Sequence, residues 1–328
     1  MTPTRAFNLI EVAVAMAIAG IIAAASVSVF AIINHQLVTV AASTRASNQA
    51  RTVVAHLVAR AQAVGGGALR PWDALVIEDA PAPARGALPA TTTTSRLWTA
   101  VAIAGASDCT VTAVDGDDVI VPASCCRQNY FSLDKGSGFC PPVHAVDALL
   151  VAGETRHNRT IVHATLRADA GSCTLHTTPG PMAFADRGAA ASLPGATLSL
   201  ARIRVVAVDE SSHDLWELTD RNADGVVTLA ESVVLAGNVH AFTVRAGWDE
   251  DGDGVVPASA WTRTAPTSDA TLPALRAVEL GLVVGARVPA GRPENVVHFD
   301  GRTFSVPGQR LEATTSQALL RSLLLFQN

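Results

Sequence analysis

The residues Asp220-Arg221-Asn222-Ala223-Asp224-Gly225-Val226-Val227-Thr228-Leu229-Ala230-Glu231 put oxygen ligands at loop positions 1, 3, 5, 9 and 12, with glycine at 6. That spacing matches an EF-hand calcium loop. Alternate residues of a tight loop converge on one point. Gly225 permits the sharp turn, Val226 offers its carbonyl, and Glu231 closes the sphere with both oxygens. Residues 214–218 are ambiguous as a flank, while 229–235 read as the start of a helix, so an isolated EF-hand-like loop is expected rather than a paired sensor. The competing reading is an ordinary Asp/Asn/Gly turn. A second run, Asp249-Glu250-Asp251-Gly252-Asp253-Gly254, begins the same way. Its twelfth position is Ala260, so Asp249, Asp251 and Asp253 need a closing carboxylate from elsewhere, or the run is a solvated hairpin turn. Calcium bound at about 10⁻⁴ to 10⁻³ M, as in extracellular modules, would act as a folding staple.

A different chemistry is posed by Glu11. It is the only ionisable side chain in residues 7–33, an otherwise apolar run of 27. As a helix this run is about 40 Å long, enough to cross a hydrocarbon core of about 30 Å. A carboxylate inside a membrane costs on the order of 2.5–3.5 kcal/mol and usually finds a partner. Glu11 therefore either sits at the interface or meets a positive group from another chain. The run is too long for the apolar stretch of a secretory signal, and the short polar leader before it offers a processing point.

Phe7-Asn8-Leu9-Ile10-Glu11-Val12, followed by an Ala/Ile/Val-rich helix, resembles the processing and assembly segment of type IV pilins and type II secretion pseudopilins. The resemblance implies that a prepilin peptidase cuts between Ala6 and Phe7 and that the new terminus is methylated. It also implies that Glu11 neutralises the terminal amine of a neighbouring subunit. The sequence departs from the family in carrying Ala6 where glycine is usual. Trp216-Glu217-Leu218-Thr219, Phe242-Thr243-Val244-Arg245 and the final Ala318-Leu319-Leu320-Arg321-Ser322-Leu323-Leu324-Leu325 resemble the layout of PilW-type minor pilins and J-type pseudopilins.

These sites need elements to hold them. Beyond residue 33 the helical spacing continues through Leu37, Ala41, Thr44, Val54, Leu57, Val58, Ala61 and Val64, with Arg45, Arg51, His56 and Arg60 on the polar side. No proline interrupts residues 7–64, and Gly65-Gly66-Gly67 ends the run. Strand-length apolar runs follow at 97–104, 119–121, 148–151, 160–166, 198–208, 240–246, 278–284 and 296–299, punctuated by Gly, Pro and Asp. The expected class is α+β, a long helix laid against an antiparallel sheet. The organisation is a leader at 1–6, a transmembrane and assembly helix at 7–33, its amphipathic continuation at 34–64, a cysteine-containing β-rich head at 65–205, and a β-rich part with the acidic loops and a C-terminal strand at 206–328. Downstream of a membrane anchor, Cys109, Cys125, Cys126, Cys140 and Cys173 face an oxidising compartment and are disulfide candidates. Adjacent Cys125 and Cys126 most simply join different bridges, and the connectivity stays open.

The chain has 328 residues, 24 Lys plus Arg against 29 Asp plus Glu, and a net charge of -5. A hydrophobic share of 49% excludes wholesale disorder, and the mild acidity gives no footprint for nucleic acid. The nine histidines form no zinc-protease motif, and there is no nucleophile elbow or phosphate loop, so no enzyme is expected. The reading is a minor pilin-like structural subunit that primes or caps a type IV pilus, or else a type II secretion pseudopilin. In either case other pilins are its partners and the inner membrane its first location, with a periplasmic head that moves to a tip on assembly. An alternative of another class is a calcium-dependent adhesin on an uncleaved signal anchor.

Overall fold

The computed structural model describes residues 9–64, 75–84, 88–102, 109–116, 118–122, 144–151, 159–168, 172–179, 197–219, 227–249, 251–263, 275–288 and 295–320. One helix, α1 (Leu9–Gln62), is followed by β1 (Leu75–Glu78), β2 (Arg96–Ala102), β3 (Cys109–Thr110), β4 (Ala113–Asp115), β5 (Asp118–Pro122) and β6 (His144–Val151). Next come β7 (Arg159–Ala168), β8 (Ser172–Pro179), β9 (Thr197–Asp209), β10 (Asp214–Thr219), β11 (Ser232–Ala236) and β12 (Val239–Trp248). The chain closes with β13 (Trp261–Thr262), β14 (Leu275–Arg287), β15 (Val297–Phe299), β16 (Arg302–Phe304) and β17 (Gln309–Leu319).

Eleven strands form one sheet in the order β1-β2-β9-β6-β7-β8-β5-β4, with β10 and β3 also paired to β9, and β11 to β10. Strand β9 runs unbroken through the boundary between 65–205 and 206–328, so the two portions share this sheet. A second antiparallel sheet has the order β13-β12-β14-β17. The two meet where Ser95 donates its amide to the Phe242 carbonyl at 2.9 Å. Cys109 pairs with Leu198 on β3, and Cys173 lies on β8 opposite Val121 and Ala168. Cys125, Cys126 and Cys140 lie outside the described residues.

The C-terminal half of α1 supplies one wall of the core. Ala50, Val53, Val54 and Leu57 join Leu97, Trp98, Val205 and Leu215 of the large sheet and Phe242, Val244, Val278 and Leu280 of the small one. The buried stripe runs Ala42, Ala46, Ala50, Val53, Val54, Leu57 and Ala61. This corrects the expected face near its start, because Leu37, Ala41 and Thr44 are exposed. Alanines at four-residue intervals let the backbone come close to the sheet, so small residues mark the contact where large ones were expected. The opposite face of the small sheet is covered by the β15–β16 hairpin, whose Val297, Phe299 and Phe304 pack on Ala241, Val283 and Leu311. Asp300 and Gly301 turn it with φ of 53° and 73°, the two positive angles a type I′ turn demands.

Candidate functional site

The first half of α1 inverts the usual rule of burial. Every large apolar side chain from Leu9 to Ile33 is exposed, Leu9 by 83% and Phe30 by 72%. Its hydroxyls turn inward on the helix: Ser26 donates to the Ile22 carbonyl at 2.8 Å and Ser28 to that of Ala24 at 2.9 Å. Side chains satisfied in this way leave no unmet polar group in an apolar surrounding. Among the described residues α1 is the helix long and apolar enough to cross a membrane. Glu11 lies in its first turn. Ala6 and Phe7, the expected processing pair, lie outside the described residues.

Four polar contacts fix the second half to the head. Ser43 donates to a Glu312 carboxylate oxygen on β17. Gln49 donates to the Gly237 carbonyl at 3.2 Å. His56 Nε2 stands 3.0 Å from Glu217 Oε2, and Arg60 Nη2 stands 3.6 Å from its Oε1. The Glu217 side chain is only 11% exposed, so a histidine ring and an arginine answer a nearly buried carboxylate.

Of the first acidic loop, Asp220, Asn222, Asp224 and Val226 lie outside the described residues. Thr228 donates its hydroxyl to Glu231 Oε2 at 3.1 Å. The expected helix over 229–235 is replaced by a single 3-10 turn, Leu229–Glu231, and then β11. The ambiguous flank over 214–218 is β10, paired antiparallel with β11 from Leu215↔Ala236 to Leu218↔Ser232. β-branched Val233 and Val234 suit a strand better than a helix, and pairing with β10 decides it. The twelve-residue pattern is thus the connection of a β-hairpin.

The second acidic loop brings carboxylate oxygens of Asp249, Asp251 and Asp253 within 4.8 Å of one another. Hard oxygen donors at that spacing suit calcium, although three fall short of the six to eight it takes. Asp249 is the buried member, and its charge is already answered. Arg276 Nε donates to its Oδ2 at 2.8 Å, Gly254 to the same oxygen at 3.0 Å, and Gly252 to Oδ1 at 2.8 Å. Burial works to raise the Asp249 carboxyl, and Arg276 with the two amides outweighs it, holding the group below its ordinary value. Arg276 follows a segment with no acidic-loop signature, so its part was invisible in the spacing of the aspartates.

A second built carboxylate cradle lies at Glu210. The amides of Thr92, Thr93 and Thr94 donate to it at 2.8–3.0 Å, and all three hydroxyls donate to it at 2.6–3.0 Å. Partial burial opposes ionisation, but these donors prevail and lower the group to about 2. Thr92, Thr93 and Thr94, in a run that reads as loop composition in the sequence, are the receptor for this side chain.

No protein-family model matches the chain, and no curated protein is similar enough to stand as a relative. Among solved structures it resembles a type IV-like pilin from Thermus thermophilus, at 14% identity and a TM-score of 0.27, over 55% of this chain and 85% of that one.

Proposed function

We propose that this chain is a minor pilin-like subunit that primes or caps a type IV pilus. What carries the reading is α1 itself: one continuous helix with a bare apolar first half and a second half built into the core of the head. An exposed apolar surface of that extent has no place in water and needs lipid or the helices of other subunits. The segment from Phe7 to Val12 gives the same answer in sequence, with Glu11 as the acid that pairs with a neighbour's terminal amine. The precursor inserts with Arg5 on the cytoplasmic side, loses residues 1–6 to a prepilin peptidase, and leaves the bilayer for the tip of a filament with its head in the periplasm or beyond. A head of two sheets favours a tip over the shaft, because its bulk hinders regular helical packing. The pseudopilin of a type II secretion system shares this plan, and the neighbouring genes distinguish the two.

Calcium is assigned to the hairpin connection at 220–231, with Asp220, Asn222, Asp224, Val226, Thr228 and Glu231 as ligands and a structural role. Asp251 and Asp253 offer a weaker site beside Asp249. No specific observation favours a signal-anchored adhesin.

The test is Glu11→Gln in cells. The variant should be made, inserted and folded as the parent, yet enter pili or pseudopili at least tenfold less. Incorporation at the parental level, or a native amino terminus that still begins at Met1 by mass spectrometry, overturns the reading.

A further inference from the structure

Two histidines meet at a second junction of the two sheets, and an irregularity of the backbone sets each of them there. His213 lies in the turn between β9 and β10, and His240 is the second residue of β12. Their ring centroids are 4.7 Å apart, with the planes inclined by 48°. His213 has φ of 59°, a left-handed conformation that few residues other than glycine adopt. Two backbone bonds hold it. Its amide donates to the Asp209 carbonyl at 2.8 Å, and Val239 donates to its carbonyl at 2.8 Å, tying this turn of the large sheet to β12 of the small one. His240 is the extra residue of a β-bulge. Val239 faces Val284 and Ala241 faces Val283, so β14 has no residue opposite position 240. Bulges re-aim side chains, and such irregular positions gather at functional sites.

The half-buried ring of His240 is also oriented. The Gln309 Oε1 atom accepts, so His240 Nε2 donates to it at 3.0 Å and Nδ1 keeps its lone pair. Gly285 makes room for this bond. A Cβ there would collide with Gln309 Oε1 and stand 3.0 Å from His240 Nε2. Burial, helped by the neighbouring His213, holds the His240 ring below its ordinary value against the opposing effect of Gln309, which leaves it neutral at pH 7. His213 is exposed, and among the described residues no hydrogen bond holds its ring, so it can turn a nitrogen toward its neighbour. A metal-binding imidazole shows the same features: a neutral ring whose other N–H is given to an oxygen that fixes its orientation. Two imidazoles that share a tetrahedral ion, at about 2.0–2.1 Å from each nitrogen, have centroids about 5 Å apart. The observed spacing is a small side-chain adjustment from that.

We propose that His213 and His240 bind one transition-metal ion of the zinc class, with water at the open positions, and that Gln309 positions the His240 ring. Imidazole nitrogen suits zinc, copper and nickel, whereas calcium takes oxygen, so this site and the acidic loops select different ions. The ion staples the β9–β10 turn to β12, and thereby one sheet to the other, at the opposite end of β12 from Asp249. The site uses no residue of α1 and stands apart from the pilin reading.

The experiment titrates the full chain, in detergent micelles and without a histidine tag, with zinc chloride by calorimetry under saturating calcium. His213→Asn suits the left-handed backbone and should bind one equivalent of zinc fewer than the parent. Gln309→Ala keeps both imidazoles and should weaken that equivalent about tenfold. In the parent itself, zinc should slow the carbethoxylation of His213 by diethylpyrocarbonate, read by peptide mass, so the site is tested even if a variant fails to fold. Zinc stoichiometry unchanged by His213→Asn, or carbethoxylation of His213 indifferent to zinc, would overturn the site. Parental affinity in Gln309→Ala would overturn the part given to Gln309.

Discussion

His56 of α1 and Glu217 of β10 meet at 3.0 Å, and the contact joins the helix to the large sheet while its neighbouring turns lie against β14 and β17 of the small one. The carboxylate is the deeper partner, and the His56 and Arg60 side chains are about two-fifths exposed. Removing one side of a buried pair costs more when the charge left behind is the buried one. The double variant His56→Ala/Arg60→Ala should therefore lose about 2 kcal/mol in urea unfolding, more than Glu217→Gln, which leaves its charges in water. An equal or reversed order would show that the pair is ornamental.

The Glu210 cradle sets an acid limit on the head. Its carboxyl is held at about 2 against an ordinary 4.5, so the folded state binds this proton less readily than the unfolded chain. The stabilisation is complete above about pH 4.5 and is lost as the pH falls toward 2. Solvent screening at this largely open site limits the effect to about 1 kcal/mol. Glu210→Gln should be less stable than the parent at pH 6, and the gap should close near pH 2; a gap unchanged by acid would count against the cradle.

Phe299 occupies the space a side chain at position 281 would need. A Cβ on Gly281 would collide with Phe299 Cζ and stand 2.6 Å from Thr243 Oγ1. Overpacking of that kind costs typically 1–3 kcal/mol. Gly281→Ala should lift the β15–β16 hairpin from the sheet, even though Asp300 anchors it to Arg245 and Arg263. In the Phe299→Ala background the same change should cost at least 0.5 kcal/mol less, a coupling measurable by a double-mutant cycle. Strict additivity would mean that the ring does not lie there.

Calcium and Arg276 make separable contributions. Calcium should raise the melting temperature of the full chain in detergent, and Asp220→Ala with Glu231→Ala should abolish that rise. Asp249→Asn should lower the melting temperature with or without calcium, because its partners are Arg276, Gly252 and Gly254. An unmodified protein that melts alike in calcium and chelator would remove the metal from the account.

Much of this architecture was legible in the residues. The unbroken apolar run and the triple glycine bracket α1 closely, because helix periodicity and breakers act locally. Strands β2, β5, β6, β7, β9, β12, β14 and β15 fall on the expected apolar runs. A C-terminal strand was expected without bounds, and the extent of β17 did not stand out: Glu-Ala-Thr-Thr-Ser-Gln has little hydrophobic signal, and its pairing with β14 is what makes it a strand. The same holds for the short helix expected at 229–235, where pairing with β10 across the hairpin overruled the local reading. Of the candidate ligands, spacing found the aspartates, whereas Arg276 and the threonines around Glu210 become partners only through the fold.

With residues 7–33 in the bilayer, as proposed, the point at which α1 first sinks into the head acquires a meaning. Burial begins at Ala42. The eight residues at 34–41, half-covered only at Val38 and Thr39, then form a neck of about 12 Å, close to the width of a helix with its side chains. The globular portion would hover above the lipid headgroups, with clearance for an adjoining rod to slide beneath it.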